Sequence, residues 1–156
     1  MTSEELYEYL LNGFRSRFDW LRLSDGDVPS SVTGLPTVLM DNVINCQFIE
    51  EFNKAPEPQD KWTNFFNFLE ELLASNDALL IDAIDTTILE MIAADHDVKL
   101  EQVLPYCGAR TRRSIYGSVS NYYGKPQKAE ELMKQYPVSD FAKSFLKRFN
   151  SFPAGN

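Results

Sequence analysis

Apolar residues return every three or four positions along most of this chain and almost nowhere at every second position. Leu6, Leu10, Gly13, Phe14 and Phe18 share one face of a first helix expected over about residues 4–22, capped by Thr2 or Ser3. The turn formers of "SDGDVPSSVTG" follow. Leu35, Leu39, Val43, Cys46, Ile49 and Phe52 then line a second helix, entered through Pro36 and stopped by the prolines of "APEPQD". In "KWTNFFNFLEELLAS" the residues Trp62, Phe65, Phe66, Phe68, Leu69, Leu72 and Leu73 fall on one broad arc, with Asn64, Asn67, Glu70 and Glu71 opposite. After "SND", a fourth helix turns Leu80, Ile84, Ile88, Met91 and Ile92 toward the core. A connection this short sets the third and fourth helices antiparallel.

The remainder predicts shorter helices in "KLEQVLPYC", "RTRRSIYGSVSNYY", "PQKAEELMKQY" and "VSDFAKSFLKRF", the last with Ser139 as its N-cap. No alternating run is bounded by a hairpin dipeptide, so a sheet has little support. The expectation is an all-α fold, one domain over residues 1–156 built of successive antiparallel helical hairpins. A chain of 156 residues with 11 Phe, 7 Tyr and 2 Trp has the means to fill a core. At this size a domain buries roughly 70% of its unfolded surface.

The composition also bears on setting. The acidic start "MTSEELYEYLLNGFRSRF" does not read as a secretion signal, and no run of about 18 apolar residues offers a membrane span. Cys46 and Cys107 have no metal-ligand spacing and no disulfide framework, and a cytoplasmic location without membrane partners is expected.

Charge changes the picture more than composition does. Residues 1–100 carry 19 acids against 6 Lys and Arg, a net of −13, whereas residues 101–156 carry 4 acids against 9 bases, a net of +5; together they give −8. No Lys or Arg lies between Lys61 and Lys99, yet Glu70, Glu71, Asp77, Asp82, Asp85, Glu90, Asp95 and Asp97 all do. On a helical wheel Asp82 and Glu90 point away from the apolar centre of "LLIDAIDTTILEM", Asp85 lies at its edge, and Leu79, Thr86 and Leu89 share the outward arc. Carboxylates mixed with aliphatic side chains are unlike the Glu–Lys lattice of a solvated helix.

Three chemistries compete for these acids. They could simply keep a helix soluble. They could steer a basic protein and bury against it, which makes Glu70, Glu71, Asp82, Asp85, Leu89, Glu90, Asp95 and Asp97 the candidate partner-binding residues. Or Asp82 and Asp85, spaced i and i+3, could ligate Mg²⁺ with Glu70 or Glu71 from the facing helix in a phosphoester-processing enzyme. That last site lacks the basic residues needed to hold phosphate, so no enzyme activity, metal or cofactor is expected. His96 sits between two aspartates in "ADHDVK" with no nucleophile near it in sequence. Cys107 precedes Arg110, Arg112 and Arg113, which could lower its pKa. Those arginines and Tyr116, Tyr122 and Tyr123 form only a short basic and aromatic pattern, and the net charge opposes nucleic-acid binding.

The succession "FFNFLEELL", "LLIDAIDTTILEMI", "LPYCGARTRRSI" resembles small helical bacterial immunity-type proteins, encoded beside secreted antibacterial toxins. The resemblance covers about residues 60–117 and is carried by Leu89-Glu90 and by Gly108 through Arg113. This chain departs from the pattern in its Tyr-Cys-Gly before the basic segment and in a long C-terminal region that begins at Tyr122. The resemblance implies a protein that occludes a cognate basic toxin domain, such as a nuclease, without catalysis. A helical scaffold or adaptor that binds a cellular protein or peptide is the alternative, and self-association is left open.

Overall fold

The computed structural model describes residues 1–54, 57 and 60–138. The helix expected from Ser139 onward lies outside the described residues. Helix α1 (Ser3–Arg17) starts where Thr2 Oγ1 accepts the Glu5 N–H while the Glu5 carboxylate accepts the Thr2 N–H, a reciprocal capping box. It ends five residues earlier than the wheel suggests. Phe18 leaves the helical backbone and turns into the core, and the Arg15 guanidinium then donates twice to the Leu23 carbonyl to pin the returning chain.

Helix α2 (36–54) opens with Pro36 in its first turn, where a missing N–H costs nothing. Helix α3 (Asp60–Leu73) buries Trp62, Phe65, Phe66, Phe68, Leu69, Leu72 and Leu73 on the arc the sequence predicts. Helix α4 (78–93) is capped by Asp77, whose carboxylate accepts the N–H groups of Leu79 and Leu80. Short α5 (100–106) leads to α6 (109–122) and α7 (Pro126–Gln135). The described residues are all-α, with no strand among them, and no helix is long and apolar enough to cross a membrane.

Aromatic packing ties the first three helices together. Phe14 and Phe18 from α1, Phe48 and Phe52 from α2 and Trp62, Phe65, Phe66 and Phe68 from α3 interlock, with Phe48 and Phe65 stacked at 5.0 Å and Phe14 edge-on to Phe68 at 5.0 Å. Buried aromatic pairs of this kind add about 0.5–1.5 kcal/mol each beyond their area. Helix α3 meets α4 and α6, and α4 packs in addition on α1 and α2. Helix α4 also packs on α5 and α6, and within the "LLIDAIDTTILEM" segment only Leu79, Asp82 and Thr86 are exposed.

Three helices contain a π-helical turn, at Leu39–Ile44 in α2, Asp85–Leu89 in α4 and Ser118–Tyr122 in α6. Such a turn holds one residue more than an α-turn and rotates everything after it by roughly 100°. This rotation corrects two expectations. In α2 the buried face passes to Ile44, Phe48 and Phe52, leaving Cys46 exposed and Ile49 only partly covered, and Leu35, at the N-cap, is also exposed. In α4 it carries Leu89 from the outward arc into the core, where it is fully buried beside Ile88 and Thr87, while Met91 is only partly buried. Thr87 tolerates the interior because its hydroxyl donates back to the Ala83 carbonyl at 2.6 Å.

Candidate functional site

The acids expected to form one docking face have separate fates. Glu70 is turned inward, its side chain only 20% exposed. Its two carboxylate oxygens accept the backbone N–H of Arg110 at 2.7 Å and of Thr111 at 3.0 Å, together with the Thr111 hydroxyl at 3.1 Å. Glu70 thus caps α6 from another helix, giving the first N–H groups of α6 the acceptor that Gly108 lacks. A Cβ at Gly108 would stand 2.7 Å from the Glu70 carboxyl carbon, so a larger residue there would push the Glu70 carboxylate from its place on α6.

Asp95 is likewise spent on structure. It is the one described non-glycine residue with positive φ, at 57°. Its carboxylate accepts the Leu100 N–H at 2.8 Å and pairs with Lys128 at 2.9 Å, tying the end of α4 to α5 and α7. Burial alone would raise its pKa, but the Lys128 and Leu100 hydrogen bonds and the charges of Lys128 and Lys99 outweigh it and hold the carboxyl below the usual aspartate value. Neither Glu70 nor Asp95 is a free docking charge, and buried Leu89 is no surface anchor.

Glu71 stays at the surface and pairs with Arg17 at 3.3 Å. Asp97 is exposed and faces the ring of exposed His96 at 3.2 Å. The Glu90 side chain is partly exposed, and its carbonyl accepts the Tyr123 hydroxyl at 3.1 Å. Asp85 is half-buried and accepts the Ser114 hydroxyl at 2.7 Å. Burial, reinforced by the Asp82 charge, raises its pKa against the pull of that hydrogen bond. Asp85 lies with Leu73, Ile81, Arg110 and Arg113 around a cavity of about 280 Å³.

A magnesium site built from Asp82 and Asp85 with Glu70 or Glu71 is not assembled: Glu70 holds α6, Glu71 faces Arg17, and among the described residues no group of three or more His, Cys, Asp or Glu side chains is placed to hold a metal. The basic segment is also largely committed. Arg112 donates to the Leu104 and Pro137 carbonyls, and Arg110 pairs with Glu70 at 3.6 Å. Cys107 is buried, and burial pushes its thiol up to about 12 in spite of Arg112 nearby. It is the reverse of an activated nucleophile.

Asp82 is different. It is exposed on α4 one turn after Leu79, and among the described residues no cation or N–H bonds its carboxylate. It borders an open groove of about 200 Å³ between the start of α1, the entry to α2 and α4. Leu6, Val38 and Ala83 line the groove, and Leu35 and Leu79 flank it at 46% and 53% exposure. The N-terminal ammonium of half-exposed Met1 pairs at 3.1 Å with Asp77, two residues before Leu79. Three of the five large apolar side chains exposed among the described residues, Met1, Leu35 and Leu79, therefore gather at this end of the molecule.

Sequence reasoning reached Asp82 and Leu79 but missed Leu35. A leucine at a helix N-cap, just before proline, is free of the wheel that governs the rest of the helix, and this was the available signal. No protein-family model matches the chain, and comparison with curated proteins and with solved structures gave no match either.

Proposed function

We propose that this chain is a non-catalytic helical binding protein whose α1–α2–α4 groove seats a cationic partner protein. One observation carries the reading: the Asp82 carboxylate stands without a partner among the described residues, between two half-exposed leucines on an open apolar groove. A cationic side chain can lay its aliphatic stem on Leu35 and Leu79 and its charge on Asp82. The surplus acids of residues 1–100 steer such a partner toward this half of the molecule, and burial of the leucines sets how long it stays. In the immunity-type setting implied by residues 60–117, the partner is a basic toxin domain, such as a nuclease, and inhibition is occlusion of its active face.

The test is affinity capture from the source cells with the wild-type chain and with an Asp82→Lys, Leu79→Asp variant of unchanged melting temperature. A basic protein retained by the wild type, released by salt and lost to the variant is expected. Equal retention by both forms removes the groove from the interface, and an acidic partner overturns the electrostatic argument. If the captured protein is a nuclease, stoichiometric loss of its activity on adding the wild type identifies the occlusion.

A further inference from the structure

Asp85 stands where a carboxylate costs stability. It is half-buried between α4 and α6, and its one hydrogen bond among the described residues comes from the Ser114 hydroxyl at 2.7 Å. Burial and the nearby Asp82 charge both act against its ionised form. Asparagine would accept the same hydrogen bond without that cost. A carboxylate held at such a place in a cavity wall is a candidate binding group.

The facing wall is basic. Arg110 and Arg113 lie three residues apart on α6, so both reach the cavity of about 280 Å³ that Asp85 and Ser114 also line. Arg110 shares its charge with Glu70 at 3.6 Å. Arg113 is exposed and has no partner among the described residues, and neither guanidinium pairs with Asp85. An anion alone would meet the Asp85 charge in this cavity, and a cation alone would meet the guanidinium charges. A ligand that carries both charges satisfies both walls. Leu73, at the end of α3, and Ile81 of α4 add aliphatic surface. Small-molecule sites begin near about 300 Å³, so a cavity of this size suits a ligand of few atoms.

We propose that the α3–α4–α6 cavity binds a free α-amino acid with an apolar side chain, its ammonium on Asp85 and Ser114, its carboxylate on Arg113 and its side chain against Leu73 and Ile81. The inference is independent of the α1–α2–α4 groove, with which this cavity shares no lining residue.

Isothermal titration of the full chain tests it, with L-leucine, L-methionine and L-phenylalanine as probes. At least one of them is expected to saturate a single site per chain. Its analogue without the ammonium, isocaproate in the case of leucine, and its analogue without the carboxylate, isoamylamine, are each expected to bind at least tenfold more weakly. Asp85→Asn and Arg113→Gln are each expected to weaken binding of the amino acid at least tenfold without lowering the melting temperature of the free protein. Leu35→Ser, from the other groove, is expected to leave the affinity within twofold. The analogue comparison uses the wild type alone and stands whatever the variants do. Absence of saturation by all three amino acids overturns the proposal. So does an analogue that binds as tightly as its parent, which makes the cavity a site for anions or cations alone. Binding that survives both Asp85→Asn and Arg113→Gln also overturns it, because the amino acid then sits elsewhere on the molecule.

Discussion

Glu70 and Asp82 both lie in the stretch that holds no lysine or arginine, both lie on the polar side of their wheels, and only one of them is free. Glu70 is enclosed by the N-terminal turn of α6 and gives its two oxygens to two backbone N–H groups and a hydroxyl. Asp82 faces solvent between Leu35 and Leu79. The difference comes from what the neighbouring helix starts still need: the first N–H groups of α6 have no acceptor but Glu70, whereas near Asp82 the start of α1 is served by its own Thr2–Glu5 capping box and α2 opens with Pro36, which has no N–H to offer. A dense acidic stretch can therefore contain both fold-holding and surface carboxylates, and side-chain type alone does not separate them.

The largest effect is expected from Glu70→Ala, which strands the Arg110 and Thr111 N–H groups and leaves the Thr111 hydroxyl only the Gly108 carbonyl. Hydrogen bonds to a charged acceptor contribute about 1.5–3 kcal/mol, and caps about 0.5–2 kcal/mol, so a loss of about 2–3 kcal/mol in chemical denaturation is expected. Glu70→Gln, which keeps one acceptor oxygen, is expected to lose about half as much. A Glu70→Ala protein as stable as the wild type would place Glu70 with Asp82 and dissolve the contrast. Asp95→Ala comes next, at about 1–2 kcal/mol, because it removes the cap on α5 and leaves a non-glycine residue at positive φ without its local hydrogen bond. Restoration by Asp95→Asn, which keeps an acceptor and tolerates this backbone, would assign the loss to the cap and not to the Lys128 pair.

The sequence allowed some of this to be read and concealed the rest for definable reasons. The aromatic arc of α3 was legible because nothing interrupts its period. Leu89 and Cys46 were misplaced because single π-turns at 85–89 and 39–44 advance the phase, and a wheel drawn at 100° per residue has no means of showing them. The role of Glu70 was hidden for another reason: its partners lie about 40 residues away, and Gly108 gains its meaning only when the two helices meet. Leu79 and Asp82 precede the π-turn of α4, and both are exposed as the wheel placed them.

Asp85 stands between the two extremes and is separable by pH. Its pKa in the folded protein is raised above the ordinary aspartate value of 3.8 by burial. The folded state then holds the proton more tightly than the unfolded chain, so ionised Asp85 opposes folding above its folded pKa and ceases to do so as pH falls through it. Asp85→Asn keeps an acceptor for Ser114 and removes the charge. It is expected to raise the melting temperature at pH 7, with the gain shrinking as the solution is acidified toward 3.8. Asp77 and Asp95 have the opposite sign, since their lowered pKa values contribute stability above the unfolded pKa that is lost on acidification. A gain in Asp85→Asn that persists unchanged at low pH would mean that packing, not charge, had been altered.

The smallest change in stability is expected at Asp82, and that smallness is what distinguishes it. Asp82→Lys removes no hydrogen bond made by the side chain among the described residues, and outward helical positions tolerate substitution within about 0.5 kcal/mol. The charge reversal acts instead on whatever approaches the groove. At low ionic strength the association rate with a basic partner should fall, and added salt should bring the two proteins' rates together, because screening weakens steering over distances beyond about 8–10 Å. Leu79→Ser should do the converse, leaving association nearly unchanged and speeding dissociation, since apolar burial governs residence more than encounter. The pair of variants thus resolves the groove into a charged lip and an apolar seat. A drop of several degrees in the melting temperature of Asp82→Lys would show that this carboxylate helps hold the fold as Glu70 does. An association rate untouched by the reversal in low salt would leave Asp82 as solubilising surface, with the leucines alone to account for binding.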